Sequence, residues 1–115
     1  MQDMDELVEE FAACRRTLSA LGDKNRQHLI LEMMQMGECN GVRVGEITQK
    51  THLSRPAVSH HLQILKEAGI INVRREGTKN YYYFDAEQSM EALLHMLAHA
   101  NDVMKRLPDR SGEDQ

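Results

Sequence analysis

The stretch LSRPAVSHHLQILKEAGI, from Leu53 to Ile70, constrains the fold of this chain more than any other. Ser54 is a strong helix start, because its hydroxyl can accept a hydrogen bond from a first-turn N–H that has no partner inside the helix. Arg55 and Pro56 follow in the first turn, where the N–H that proline lacks is not needed. Gly69 supplies the left-handed cap that ends the helix about four turns later. Val58, Leu62 and Leu65 recur at i, i+4 and i+7, so one face is apolar and turns to a core. Pro56, Ser59, His60 and Gln63 fall on the opposite face. These groups are short or planar and include no long acidic chain, a surface suited to close approach. His60 and His61 are neighbours, but adjacent residues project too differently on a helix to hold one ion together.

The flanking chain is read as mostly helical. Leu7, Val8, Phe11, Cys14 or Arg15, Leu18 and Leu21 recur at helical spacing and predict one amphipathic helix that ends near Gly22. Asp23 can cap a second helix whose apolar face is Leu29, Ile30, Met33 and Met34, ending at Gly37. ECNGVR reads as a connection, since Asn-Gly favours a turn. Val44 to Lys50 is a short helix with Val44 and Ile47 inward. After the capped helix, IINVRR and NYYYFD are β-type runs joined by EGTK, a hairpin. Glu87 to Lys105 is a long last helix, with Met90, Leu93, Leu94, Leu97, Ala100 and Met104 expected on one side.

Length and composition suit one soluble domain, 1–107, followed by a flexible polar tail, 108–115. No apolar run is long enough for a membrane span, and the acidic start MQDMDELVEE lacks the positive region of a signal peptide, so a cytoplasmic location is expected. Cys14 and Cys39 form no CxxC pair, which argues against a disulfide framework or a closed zinc knot; buried or idle thiols are expected, with a composite thiol site as the alternative. The net charge of −4 conceals a strong asymmetry. Between Arg43 and Lys79 seven basic residues (Arg43, Lys50, Arg55, Lys66, Arg74, Arg75, Lys79) stand against three acidic ones, so that segment is basic and the ends are acidic.

A short helix, a tight turn and a second helix with small hydrogen-bonding residues on its exposed N-terminal half make a helix-turn-helix, whose second helix enters the DNA major groove. The hairpin would be a wing, with Arg74, Arg75 and Lys79 near its tip reaching backbone phosphates. ALGDKNRQHLILEMM, the run VGEITQKTHLSRPAVSHHLQILKEAGIINVRREGTKNYYYF and the closing helix resemble the ArsR/SmtB family of winged helix-turn-helix repressors, over about Ala20 to Met104. The resemblance implies a mainly α fold with a β-hairpin wing, a dimer, and an operator that is released when an inducer, often a metal ion, binds. It places base-reading residues at Ser54, Arg55, Pro56, Ser59 and His60, with Gln63 on the same face and His61 as a packing position.

The family's sensing sites transfer only in part. One type needs paired cysteines at the start of the helix-turn-helix; here Val42, Arg43 and Val44 stand there, which does not support soft-metal sensing. The other type lies on the last helix. Its closing half is present as His99 and Asp102, but Ala86 and Gln88 occupy the opening positions, with Asp85 and Glu87 one residue away. Glu91, His95, His99 and Asp102 form a polar stripe, and histidines at i and i+4 can share an ion. No metal site is assigned on this basis; His95, His99 and Asp102 are the candidates, with zinc, cobalt or nickel as the ion. HMLAH spaces histidines as in zinc proteases, yet Met96 replaces the glutamate base, and neither a phosphate loop nor a nucleophile elbow is present, so an enzyme is disfavoured. A winged helix that binds protein instead of DNA is the alternative; it would carry apolar or acidic residues where Ser59, His60 and Gln63 stand. Apolar stripes on the first and last helices exceed what so few large aromatics can cover, which predicts a twofold dimer through those helices and a near-palindromic operator.

Overall fold

The computed structural model describes residues 2–37, 40–109 and 111–112. The chain runs α1 (Gln2–Ala13), α2 (Arg15–Leu21), α3 (Lys24–Met36), α4 (Val44–Gln49), α5 (Arg55–Glu67), β1 (Ile71–Glu76), β2 (Lys79–Phe84) and α6 (Glu87–Lys105). Cys39, one half of the composite thiol pair, lies outside the described residues, as do 110 and 113–115 of the expected tail.

The predicted N-terminal helix is two helices, not one. Cys14 leaves helical geometry, with φ −95° and ψ 4°, and the axis bends there. The apolar period runs across the break, yet Val8, Phe11 and Leu18 on it are exposed, and the residues that are buried, Leu7, Cys14, Thr17 and Ala20, meet different sets of neighbours on the two sides of the break. α1 lies along α6, whereas α2 packs on α3 and α5. The buried Thr17 hydroxyl in α2 donates to the carbonyl of Ala68 at 3.2 Å and ties that segment to the end of α5.

The core forms around α5. Val58, Leu62 and Leu65 are fully shielded, with Leu29 of α3, Ile47 of α4, and Ile70 and Ile71 beyond the helix. Each such side chain contributes about 1.5–3 kcal/mol by leaving water. A smaller cluster, Cys14, Leu93 and Met96, seats α6 beside the α1–α2 bend. The last helix divides its apolar residues in a way its spacing does not reveal. Leu93, Met96 and Ala100 are buried, while Leu94, Leu97 and Met104 point away from the core and are exposed.

The hairpin is antiparallel from Ile71 opposite Phe84 to Glu76 opposite Lys79, with Gly77 and Thr78 as the turn. A one-residue bridge from the stretch expected to be plain connection adds to it on the β2 side. Val42 exchanges both backbone hydrogen bonds with Tyr82, at 2.8 and 2.7 Å, and so anchors the wing to the start of α4. Gly41 makes this approach feasible, since a Cβ there would lie 2.9 Å from the Tyr82 carbonyl oxygen.

At the far end of α5 a knot of hydrogen bonds joins three helices. The Ala68 carbonyl accepts from Thr17, and the Ser89 hydroxyl of α6 lies 3.3 Å from that carbonyl and 2.9 Å from the Gly69 carbonyl. Gly69 has φ +76°, and a Cβ on it would stand 2.4 Å from Ser89 Oγ. Gly69→Ala is therefore expected to cost about 2 kcal/mol or more in urea unfolding, from left-handed strain and a displaced Ser89. Adding Ser89→Ala should relieve the steric part only. A loss below about 0.5 kcal/mol in the single variant would show that the knot relaxes freely.

Candidate nucleic-acid interface

Local chemistry aims α5 outward. Ser54 Oγ accepts from the Ala57 amide at 3.3 Å and Pro56 sits in the first turn, so the helix begins at a defined residue next to the α4–α5 turn. Ser54, Arg55, Pro56, Ser59, His60 and Gln63 are all exposed. Arg55 reaches back over α4, its guanidinium beside Gly45. Gln63 donates one amide N–H to the Glu67 carboxylate at 3.1 Å, which leaves its second N–H and its carbonyl oxygen to meet another group.

His61 separates from its neighbour in role as well as direction. Its Nδ1 lies 3.3 Å from Arg26 Nη1, and the same guanidinium donates to the Ala20 and Ser19 carbonyls at 3.0 and 3.2 Å. Burial pushes the imidazole below its usual range, partly offset by Asp23, and the neutral ring can accept from Arg26. His61 thus braces α5 against the α2–α3 corner, while His60 faces solvent.

The wing cations divide similarly. Arg75 and Lys79 are exposed beside the turn, although Arg75 Nε donates to the Gly77 carbonyl at 3.0 Å. Arg74 is occupied: it pairs with Glu76 at 2.7 Å, donates to the Asn40 carbonyl at 2.7 Å and lies over the Tyr81 ring. That geometry holds the wing to the loop before Val42 and leaves less of the guanidinium for a phosphate.

The candidate metal residues on α6 are regrouped by the fold. His95 and His99 do lie together, but Asp102 turns to Arg106, at 3.4 Å, and not to them. The partners of the histidines come from α1. His99 Nδ1 lies 2.7 Å from Glu10 Oε1 and its Nε2 3.3 Å from Asp3 Oδ1, while His95 Nε2 lies 2.9 Å from Glu10 Oε2. These carboxylates, Glu10 first, raise the affinity of His99 for its proton, and Arg106 followed by His99 holds Asp3 below the ordinary carboxylate range. Sequence reasoning missed Asp3, Glu6 and Glu10. Their i, i+3, i+7 spacing places them on one face of α1, a signal present in MQDMDELVEE but outside the family's known pattern.

A two-helix reading unit with an exposed, capped second helix and a hairpin wing defines a winged helix-turn-helix protein. Residues 24–73 match the family described as bacterial regulatory protein, arsR family. An uncharacterized HTH-type transcriptional regulator of Methanocaldococcus jannaschii is 34% identical over 75% of this chain and 93% of its own length. The transcriptional repressor SdpR of Bacillus subtilis is 32% identical over 71% and 87%. Among solved structures, an ArsR-like transcriptional regulator from Rhodococcus sp. RHA1 superposes with a TM-score of 0.71 at 17% identity, covering 86% of this chain and 87% of that one. A homodimeric winged helix-turn-helix DNA-binding domain from Mycobacterium bovis gives 0.57 at 22% identity, covering 96% of each. The chain belongs to the arsR family of bacterial regulatory proteins and is a transcriptional regulator.

Proposed function

We propose that the protein is a repressor that binds a near-palindromic operator as a homodimer and is released by an inducer, with zinc, cobalt or nickel as the ion class that the imidazoles of α6 favour. The observation that carries the DNA reading is the exposed, acid-free N-terminal half of α5 beside a wing whose Arg75 and Lys79 face solvent. Short groups such as Ser59 and His60 let the helix backbone approach base edges, and the cations meet phosphates.

Roles can be separated by comparing operator with random DNA in fluorescence anisotropy. His60→Ala and Ser59→Ala are expected to weaken operator binding about tenfold or more while leaving random DNA nearly unchanged. Arg75→Ala should weaken both about equally. Equal losses on the two DNAs for His60→Ala would remove it as a base reader.

Dimerisation through α1 and α6 is supported by their solvent-facing stripes. Met4, Val8 and Phe11 on α1 and Leu94, Leu97 and Met104 on α6 are between 43% and 66% exposed. The single chain is also extended, 62 × 30 × 22 Å, with a radius of gyration of 18.3 Å, where a compact domain of this length has about 13 Å. Coupling from the dimer helices to the reading helix has a route through the Thr17–Ala68–Ser89 knot.

A further inference from the structure

We propose that Asp3, Glu6 and His99 form a binding site for a divalent transition-metal ion of the zinc, cobalt or nickel class, held inside one subunit between α1 and α6. The site deepens the inducer reading above, and its regulatory meaning rests on that reading. One ligand atom from each of the three residues lies within 4.8 Å of the others, so one ion can touch all three with small rotamer changes. One imidazole and two carboxylates suit a borderline cation; calcium and magnesium favour all-oxygen sets, and copper(I) favours sulfur.

The surrounding groups are arranged as a metal site needs them. Glu10 Oε1 stands 2.7 Å from His99 Nδ1, so Nδ1–H donates to it, and Nε2, 3.3 Å from Asp3 Oδ1, is the atom that would give up its proton to an ion. This carboxylate–histidine pairing fixes the tautomer and ring plane of metal-bound histidines generally. His95 donates from Nε2 to the other Glu10 oxygen at 2.9 Å and holds that carboxylate in turn. Arg106 binds Asp3 Oδ2 at 2.9 Å, leaving Oδ1 toward His99. A cavity of about 480 Å³, lined by Glu6, Glu9, Glu10, Ala13, His95 and His99, gives room for water to complete the coordination.

Helical geometry keeps this site apart from the dimer surface. On α6 the histidine stripe and the Leu94–Leu97–Met104 stripe flank the core-facing residues on opposite sides, at about 100° per residue. On α1, Asp3, Glu6 and Glu10 flank Leu7 on one side and Met4, Val8 and Phe11 on the other. An ion there joins α1 to α6 without a partner's residues. Asp102, bound to Arg106, takes no part.

The test is a cobalt(II) titration of the protein, followed by visible d–d absorption, with zinc competition and circular dichroism as the fold control. One cobalt per chain is expected. Glu6→Gln and Glu10→Gln should each weaken it about tenfold or more, His99→Asn should abolish it, and Asp102→Asn should bind as the parent does. No cobalt band in large excess of the ion, or binding that survives His99→Asn and is lost in Asp102→Asn, overturns the site. Binding with these residues but with operator affinity unchanged keeps the site and removes the inducer reading.

Discussion

Leu97→Glu should convert the protein to a monomer at micromolar concentration in sedimentation equilibrium, and its operator affinity should fall by about a hundredfold or more. Leu97 is 49% exposed on the outer stripe of α6, so the substitution costs the isolated subunit little. In a dimer the carboxylate would be buried against apolar side chains with no partner, which costs several kcal/mol. Losing the second reading helix then removes the gain from bivalent attachment, typically about 10² to 10⁴ in avidity. Leu31→Glu is the control. Leu31 is 55% exposed on α3, near Met34 at 59%, an apolar patch on a different element. If Leu31→Glu dissociates the protein and Leu97→Glu does not, the interface lies on α3 and the α1–α6 assignment fails.

The reading helix was legible because every signal for it is local. A serine cap, a proline in the first turn, an i, i+4, i+7 apolar face and a glycine end all act within a few residues, and α5 forms from Arg55 to Glu67 as they dictate. The hairpin was legible for the same reason, with strands displaced by one residue from the predicted runs. What escaped depends on contacts far apart in the chain. The bend at Cys14 leaves the apolar period intact, since it only redirects α1 to α6 and α2 to α5. Val42 bridging Tyr82 is a single rung with no period to detect. Asp3 meets His99 across nearly the whole chain, and helical spacing shows only which residues share a face, never which face they meet. The separation of His60 from His61 was legible as direction alone; the Arg26 brace that explains it is tertiary.

Operator binding is expected to weaken by about a thousandfold between 50 and 200 mM salt, and the slope measures how many cations reach phosphates. The sequence alone suggests four per subunit, Arg55, Arg74, Arg75 and Lys79, hence a slope of log K against log salt of roughly −7 for a dimer. The fold changes that expectation. Arg74 is spent on Glu76, Asn40 and Tyr81, and exchanging those partners for a phosphate gains little net charge neutralisation, because Glu76 would be left near the DNA. Three cations per subunit remain, and the slope should be about −5. Arg74→Ala should then leave the slope unchanged while lowering affinity through a loosened wing, whereas Arg75→Ala should reduce its magnitude by about 2, one phosphate from each subunit. A slope that falls equally for both variants would mean that Arg74 abandons Glu76 on binding. A slope shallower than about −3 would show that the wing does not engage the backbone at all.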